Sequence, residues 1–178
     1  MNIFKYLHRW TGIALILAGI YIALIGRIDP IGAIVALIGL TGLHIEQGEK
    51  GGTLSLMGWI IAILGTLIYA TVAILVLFPA ASSQPLARII QSAAFFAGIT
   101  LTLGYILLGV AEKMAAVYNG NNGVVLAFGA LLSLLIGSWG ALLLGFGMIW
   151  LGYSLYQDKR ITQPVVSQPK VSKKGTKN

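Results

Sequence analysis

Two histidines are the residues of this chain best suited to hold a cofactor. His8 lies near the start of the first apolar segment and His44 near the end of the second. In an antiparallel hairpin both imidazoles would lie on the same side, where two of them could ligate a haem iron. At ~1.5 Å per residue, His8 lies ~27 Å from Gly26 and His44 ~21 Å from Pro30, an offset of ~6 Å. We therefore favour two interfacial histidines without a cofactor, and haem on His8 and His44 is the alternative.

A second group of chemically useful residues is His44, Glu46 and Glu49, beside a glycine-rich stretch. Nitrogen and oxygen ligands of this kind could hold a divalent metal. A helix is predicted to end here, which leaves the common orientation of these side chains open, so we interpret the group as a solvated connection and predict no metal site. The chain contains no phosphate-binding glycine loop and no nucleophile beside a base. It also has no cysteine. We expect no enzyme activity.

Hydroxyl groups within the apolar segments are the third candidate. Tyr69 in one segment and Thr102 and Tyr105 in the next could line a narrow polar seam between two helices. We favour interhelical hydrogen bonds, each contributing ~0.6 kcal/mol on average, and the seam is the alternative. The charged residues fall near segment ends, Glu112 among them. This pattern argues against a proton-driven transporter with a titrating side chain, but it leaves a pathway for an apolar or neutral solute open.

The composition predicts the elements that position these residues. Hydrophobic residues make up 57% of the 178 residues and charged residues 10%, whereas a soluble domain has roughly 25% charged residues. The apolar residues form long uncharged runs, which indicate membrane-spanning helices. We predict an all-α, polytopic transmembrane helix bundle in the lipid bilayer of a cell or inner membrane. The net charge of +7 resides largely in the C-terminal residues, so we predict no nucleic-acid partner.

Five spans are predicted, joined by short loops. They cover about residues 6–26, 30–45, 54–78, 89–111 and 124–150 within a transmembrane domain of residues 1–156. The second is short for a ~30 Å hydrocarbon core, so four spans are the alternative. The long fifth segment is interpreted as one tilted helix that extends past the hydrocarbon. Residues 157–178 are polar and basic, and we predict a disordered tail.

The opening segment is expected to remain in the protein as the first span. A signal peptide is the alternative, but no small-x-small cleavage pattern follows Gly26. The stretch Leu7-His8-Arg9-Trp10-Thr11-Gly12 resembles the start of the first membrane helix of PepSY-associated membrane proteins. The resemblance covers the start of the chain only, and the large extramembrane domain expected of that family has no counterpart here. We infer no function from it.

The distribution of Lys and Arg predicts the orientation. With five spans, the side that includes the C-terminal tail has more Lys and Arg than the other. Positive residues favour the cytoplasmic side, so we predict a cytoplasmic tail and an external N-terminus. An even number of spans would instead place both termini in the cytoplasm.

Small residues predict close helix packing. A helix-packing stripe at four-residue spacing lies in the fifth segment and consists of Gly129, Ser133, Gly137, Ala141 and Gly145. Such residues would share one helix face and allow another helix to approach closely. We interpret the stripe as packing within the bundle, and contact with a helix of another subunit is the alternative.

The short loops and the absence of catalytic groups lead to three functional hypotheses. The first is an accessory or assembly subunit that packs in a larger membrane complex, with other membrane subunits or copies of itself as partners. The second is a small transporter or channel-like protein for an apolar or neutral solute. The third is a haem-binding redox subunit.

Overall fold

The computed structural model describes residues 3–78, 83–116 and 121–157, without the side chains of residues 3–8 and of Glu49. The predicted disordered tail lies outside the described residues, apart from Gln157. The described part is a bundle of helices, as predicted. They are α1 (Ile3–Ile25), α2 (Pro30–Gly48), α3 (Lys50–Val76), α4 (Gln84–Ala115), α5 (Asn121–Ile136) and α6 (Ser138–Tyr156).

Local sequence explains where α2 begins. Asp29 adopts an extended conformation and its Oδ1 accepts a hydrogen bond from the Gly32 N–H at 2.8 Å. Pro30 follows as the first helical residue, where a missing N–H has no consequence. The Tyr21 hydroxyl donates to Asp29 Oδ2 at 2.8 Å, which ties this start to α1. A capped turn therefore sets the entry of α2 relative to α1.

Two glycines separate α2 from α3 within a segment that is otherwise helical. Gly48 and Gly52 have φ values of 44° and 52°, a backbone region that favours glycine. The chain reverses at these glycines, as a hydrogen bond between the two helices shows: the Trp59 Nε1–H of α3 donates to Thr41 Oγ1 of α2 at 3.0 Å. The polar stretch 46–53 was predicted as a loop, but in the structure its residues are helical apart from Gly48 and Gly52.

The prediction of one helix over residues 124–150 is wrong. Gly137 has a φ of 59° and ends the hydrogen-bonded run, so that α5 and α6 are two helices joined by a single residue. The two helices fold back on each other, and a Cβ added at Gly129 would lie 2.5 Å from the Leu144 N. A glycine with positive φ allows this reversal without a polar loop.

The six described helices form a closed ring in which neighbours run antiparallel. Glycines mark the contacts: an added Cβ at Gly12 would lie 2.7 Å from the Gly152 O, and one at Gly104 would lie 2.7 Å from the Ala62 N. The first contact joins α1 to α6 and closes the ring. Small residues let backbones approach this closely, which is how helices associate where lipid supplies no hydrophobic driving force.

The ring has two ends. The terminal end contains the start of α1, the Gly48–Gly52 turn, the end of α4 and the end of α6. The Gly137 end contains the Gly26–Asp29 turn and Gly137. Because α1 and α6 are antiparallel neighbours, the start of α1 and the end of α6 lie at the same end. The prediction of termini on opposite sides is therefore wrong for this fold, because the break at Gly137 adds one reversal.

Four of the described helices are long and apolar enough to cross a membrane, namely α2, α3, α4 and α6. The other two helices of the ring contain shorter apolar segments, Arg9–Ile25 in α1 and Asn121–Ile136 in α5. The outward faces expose large apolar side chains such as Ile38, Leu64 and Phe128. Exposed apolar surface of this kind is suited to lipid, so the fold is that of a membrane protein.

Candidate functional site

A cavity of about 210 Å³ lies at the Gly137 end of the ring. Tyr69 of α3, Thr102 of α4 and Ser133 of α5 contribute hydroxyl groups to its lining, and Gly98 adds backbone. The cavity exceeds many times the ~10–15 Å³ that one water requires. It can therefore hold a small molecule between three helices.

The rim of the cavity consists mainly of apolar residues. Phe95 and Leu134 line it and are exposed on the bundle surface. The exposed Arg27, in the turn between α1 and α2, is the charged residue that lines it. Small residues make the space: a Cβ at Gly98 would approach the Tyr69 hydroxyl oxygen at 3.3 Å. The site thus combines an apolar wall with a few hydroxyl groups.

The predicted polar seam divides between this cavity and the core below it. Tyr69 and Thr102 line the cavity, whereas Tyr105 is fully buried one helical turn further along α4. The Tyr105 hydroxyl has no hydrogen-bond partner among the described residues. A buried polar group without a partner is uncommon and destabilising.

A second polar cluster, which sequence reasoning missed, lies at the terminal end. Gln47 of α2, Glu112 of α4 and Asn122 of α5 are all buried. The Gln47 Nε2 donates to the Leu108 carbonyl at 3.3 Å and to Glu112 Oε2 at 3.4 Å. The Asn122 Nδ2 donates to the Ser154 Oγ at 2.9 Å. Four helices therefore meet around buried polar side chains.

Helical periodicity was the signal that could have identified Glu112. It lies four, seven and eleven residues after Leu108, Tyr105 and Leu101, three residues that are fully buried. Positions at these spacings share one helix face. Sequence reasoning placed Glu112 at a helix end; it lies in the last turn of α4, yet its side chain is fully buried.

Thr102, Tyr105 and Glu112 share the buried face of α4. Thr102 and Glu112 are ten residues apart, which corresponds to ~15 Å along the helix. Between Tyr105 and Glu112 the buried residues of α4 are the apolar Leu108, Gly109 and Ala111. The cavity and the polar cluster therefore lie along one helix face without a continuous line of polar groups between them.

The stripe of small residues is not one groove, which corrects the prediction. Gly129 and Ser133 belong to α5, and Ala141 and Gly145 belong to α6, because Gly137 breaks the helix between them. Gly145 instead faces α1, where an added Cβ would lie 2.5 Å from the Gly19 O. The Ser133 hydroxyl donates to the Ala130 carbonyl at 2.7 Å. These contacts lie within the chain.

His44 lies at the terminal end in a hydrogen-bonded position. Its Nδ1 lies 2.8 Å from the Ser55 Oγ, and its ring stacks on Trp59 with 5.1 Å between ring centroids. The side chain of His8 lies outside the described residues, so haem ligation by His8 and His44 stays a prediction. The Glu49 side chain also lies outside them. Within the described side chains no group of three His, Cys, Asp or Glu could hold a metal ion.

Comparison of the chain with protein-family models, with curated proteins and with solved structures finds no match. The fold and the two polar sites therefore define the chain only as a small polytopic α-helical membrane protein.

Proposed function

We propose that this chain is a small transporter or channel-like protein for a small neutral solute. The observation that supports the proposal is the 210 Å³ cavity lined by Tyr69 and Thr102. Beyond it lies the Tyr105 hydroxyl, which has no hydrogen-bond partner among the described residues. A ligand pocket is usually a mostly apolar concavity with a few placed polar groups. The cavity has that composition.

The lining indicates the chemistry of the solute. Hydroxyl groups donate and accept hydrogen bonds but carry no charge. Phe95 and Leu134 supply apolar contact. A small neutral molecule with a hydrogen-bonding group and little charge, such as a polyol or an amide, suits these walls.

The orientation that we propose places the terminal end in the cytoplasm. Of the twelve Lys and Arg, all but Arg27 and Arg88 either lie at the terminal end or follow α6 in the sequence. Positive residues are enriched in cytoplasmic loops. Both termini are then cytoplasmic, and the cavity lies at the opposite face of the membrane.

Thiol labelling tests the cavity. Because the chain has no cysteine, each introduced cysteine is the single reactive thiol. Thr102→Cys places a thiol on the cavity wall, and we expect a membrane-impermeant methanethiosulfonate to modify it from the non-cytoplasmic side. Occupancy by solute then slows the reaction.

Thr71→Cys is the matched control. Thr71 lies on α3 close to Tyr69, but its side chain is exposed and donates to the Leu67 carbonyl at 2.9 Å. A thiol in contact with lipid ionises poorly and reacts slowly, since the thiolate is the nucleophile. Equal, slow labelling of Thr102→Cys and Thr71→Cys would contradict the proposal.

An accessory subunit is the second candidate. An apolar groove of about 160 Å³ between α4 and α5, lined by Gly109, Gly123 and Phe128, favours it. Small residues beside an aromatic side chain are suited to an apolar helix of another membrane polypeptide. Native mass spectrometry of the protein extracted gently from its own membrane tests this role. A defined assembly with other polypeptides would support it, and a bare monomer would contradict it.

A further inference from the structure

The apolar groove between α4 and α5 is open to the outer surface of the bundle at the terminal end of the ring. Its floor is backbone at Gly109 and Gly123, where the two helices touch, because a Cβ added at either glycine would collide with the carbonyl oxygen of the other. Its walls are exposed apolar side chains, namely Val110, Val124 and Phe128. Two buried glycines thus create a groove of about 160 Å³ that faces lipid.

A lysine lies at one end of this groove. Among the described residues, Lys113 is the charged one that lines it, and its side chain is exposed. The preceding residue, Glu112, is fully buried and is not part of the lining. The groove therefore combines an apolar wall with one positive charge.

The position of Lys113 along α4 sets its depth in the membrane. Lys113 belongs to the last turn of α4, a helix of 32 residues. A helix of that length extends ~48 Å, whereas the hydrocarbon core is ~30 Å thick. The last turn of α4 therefore reaches the level of the lipid headgroups, while the groove extends from there into the hydrocarbon.

We propose that the groove is a binding site for one anionic phospholipid of the surrounding bilayer. An acyl chain lies between Val110, Val124 and Phe128, and the headgroup phosphate meets Lys113, since a lysine ammonium binds phosphate as a point charge. Basic pockets between membrane helices on the cytoplasmic side recognise anionic headgroups in this way. The orientation proposed above places the terminal end in that leaflet.

The dimensions of the groove favour an acyl chain over a helix of another polypeptide. From Gly109 to Lys113 the groove extends over four residues of α4, or ~6 Å. A helix is ~10–12 Å wide with its side chains and needs ~20 residues to span, so most of its length would lie outside the groove. A phospholipid supplies a thinner apolar chain and an anion together. The two occupants exclude each other, so a bound lipid competes with the accessory role.

This site is independent of the proposed solute pathway. The groove lies at the terminal end of the ring, whereas the cavity lies at the Gly137 end. The lipid site therefore stands whether or not Thr102→Cys is labelled.

Native mass spectrometry of the purified full-length protein with added lipid measures the site. The probes are phosphatidylglycerol, which is anionic, and phosphatidylcholine, which is zwitterionic, with identical acyl chains. One lysine near a membrane surface increases the affinity for anionic lipid about fivefold. We expect the first bound lipid to be phosphatidylglycerol, with an affinity about fivefold higher than that of phosphatidylcholine.

Substitutions at the lysine test the headgroup contact. Lys113→Gln should remove the preference for phosphatidylglycerol, and Lys113→Arg, which keeps the charge, should retain it. Lys50→Gln is the matched control, because Lys50 is an exposed lysine at the same end of the ring, on α3. It should leave the preference unchanged.

Substitutions along α5 test the groove. Val124→Trp fills the groove from its wall and should weaken the first binding step for both lipids. Leu131→Trp is the control, since Leu131 is also exposed but lies two helical turns further along α5. It should bind both lipids as the wild type does. Val124 and Lys113 are exposed, so the variants should fold.

Three results would overturn the proposal. Equal affinity for the two lipids in the wild type, or a preference that survives Lys113→Gln, would show that the lysine does not select the headgroup. A loss as large in Lys50→Gln as in Lys113→Gln, or lipid binding unchanged in Val124→Trp, would indicate attraction to the surface without the groove. A co-purified polypeptide displaced by Val124→Trp would identify a helix as the occupant.

Discussion

Gly104→Ala tests whether α3 and α4 pack backbone against backbone. A Cβ at this position would lie 2.7 Å from the Ala62 N and 2.9 Å from the Ala62 Cα, well inside the ~3.5–4.0 Å at which carbon atoms attract. Neither contact is the flexible end of a side chain, so the two helices must separate. Overpacking of this kind typically costs about 1–3 kcal/mol.

The same substitution at Gly98 provides the reference. Gly98 lies on the same helix, but an added Cβ there would meet only the far end of a side chain, the Tyr69 hydroxyl, at 3.3 Å. In a helix interior, Ala is favoured over Gly by about 1 kcal/mol. Because both variants gain this amount, the difference in the free energy of unfolding between them isolates the clash at Ala62.

Reversible unfolding in mixed micelles measures the two free energies. We expect Gly98→Ala to be as stable as the wild type or more stable, and Gly104→Ala to be less stable than Gly98→Ala by about 1–3 kcal/mol. Equal stability of the two variants would refute the close approach of α3 and α4.

Three further predictions concern the turns and the topology. Asp29→Ala should lower the free energy of unfolding by about 1 kcal/mol, because it removes the cap on the Gly32 N–H; a matched Asp29→Asn variant should retain most of it. Gly137→Ala should cost about 1–3 kcal/mol, because its φ of 59° strains a residue with a Cβ; no loss would mean that α5 and α6 are one helix. Cysteines added before Ile3 and after Tyr156 should both resist an impermeant thiol reagent in intact cells, and labelling of one alone would contradict antiparallel α1 and α6.

The apolar runs were enough to predict the class of the fold. Uncharged stretches as long as residues 54–78 have no other common explanation than a membrane or a large core, and the structure places a helix over each run. The second predicted span also begins at residue 30, where α2 starts, since proline favours the first turn of a helix. Local chemistry thus predicted helices and one of the turns between them.

The reversal at Gly137 was not predictable from local signals. The residues around it are apolar, and glycine is frequent in membrane helices, so a glycine that continues a helix and one that ends it look alike. What distinguishes Gly137 is tertiary packing, in which Gly140 lies against the backbone of Leu132 and Ser133 across the hairpin. One missed reversal changed the predicted side of the N-terminus.

The candidate sites were predictable only in part, because tertiary packing decides which polar residues become buried. Tyr69 and Thr102 stood out as polar residues inside apolar segments, and they line the cavity. Gln47 and Asn122 lie in segments predicted as polar loops, where amides are usual. They are buried because α2 continues to Gly48 and α5 begins at Asn121. Both residues therefore lie inside helices that pack against their neighbours in the ring.

Solute flux through a bilayer tests the central claim most directly. The protein is reconstituted in liposomes, and swelling in glycerol and in urea is followed by light scattering. We predict faster swelling than in protein-free liposomes, abolished by Thr102→Phe, which fills the cavity, and retained in Thr71→Phe, which alters the exposed face of α3. Swelling no faster than in protein-free liposomes for both solutes, or unchanged by Thr102→Phe, would contradict the account.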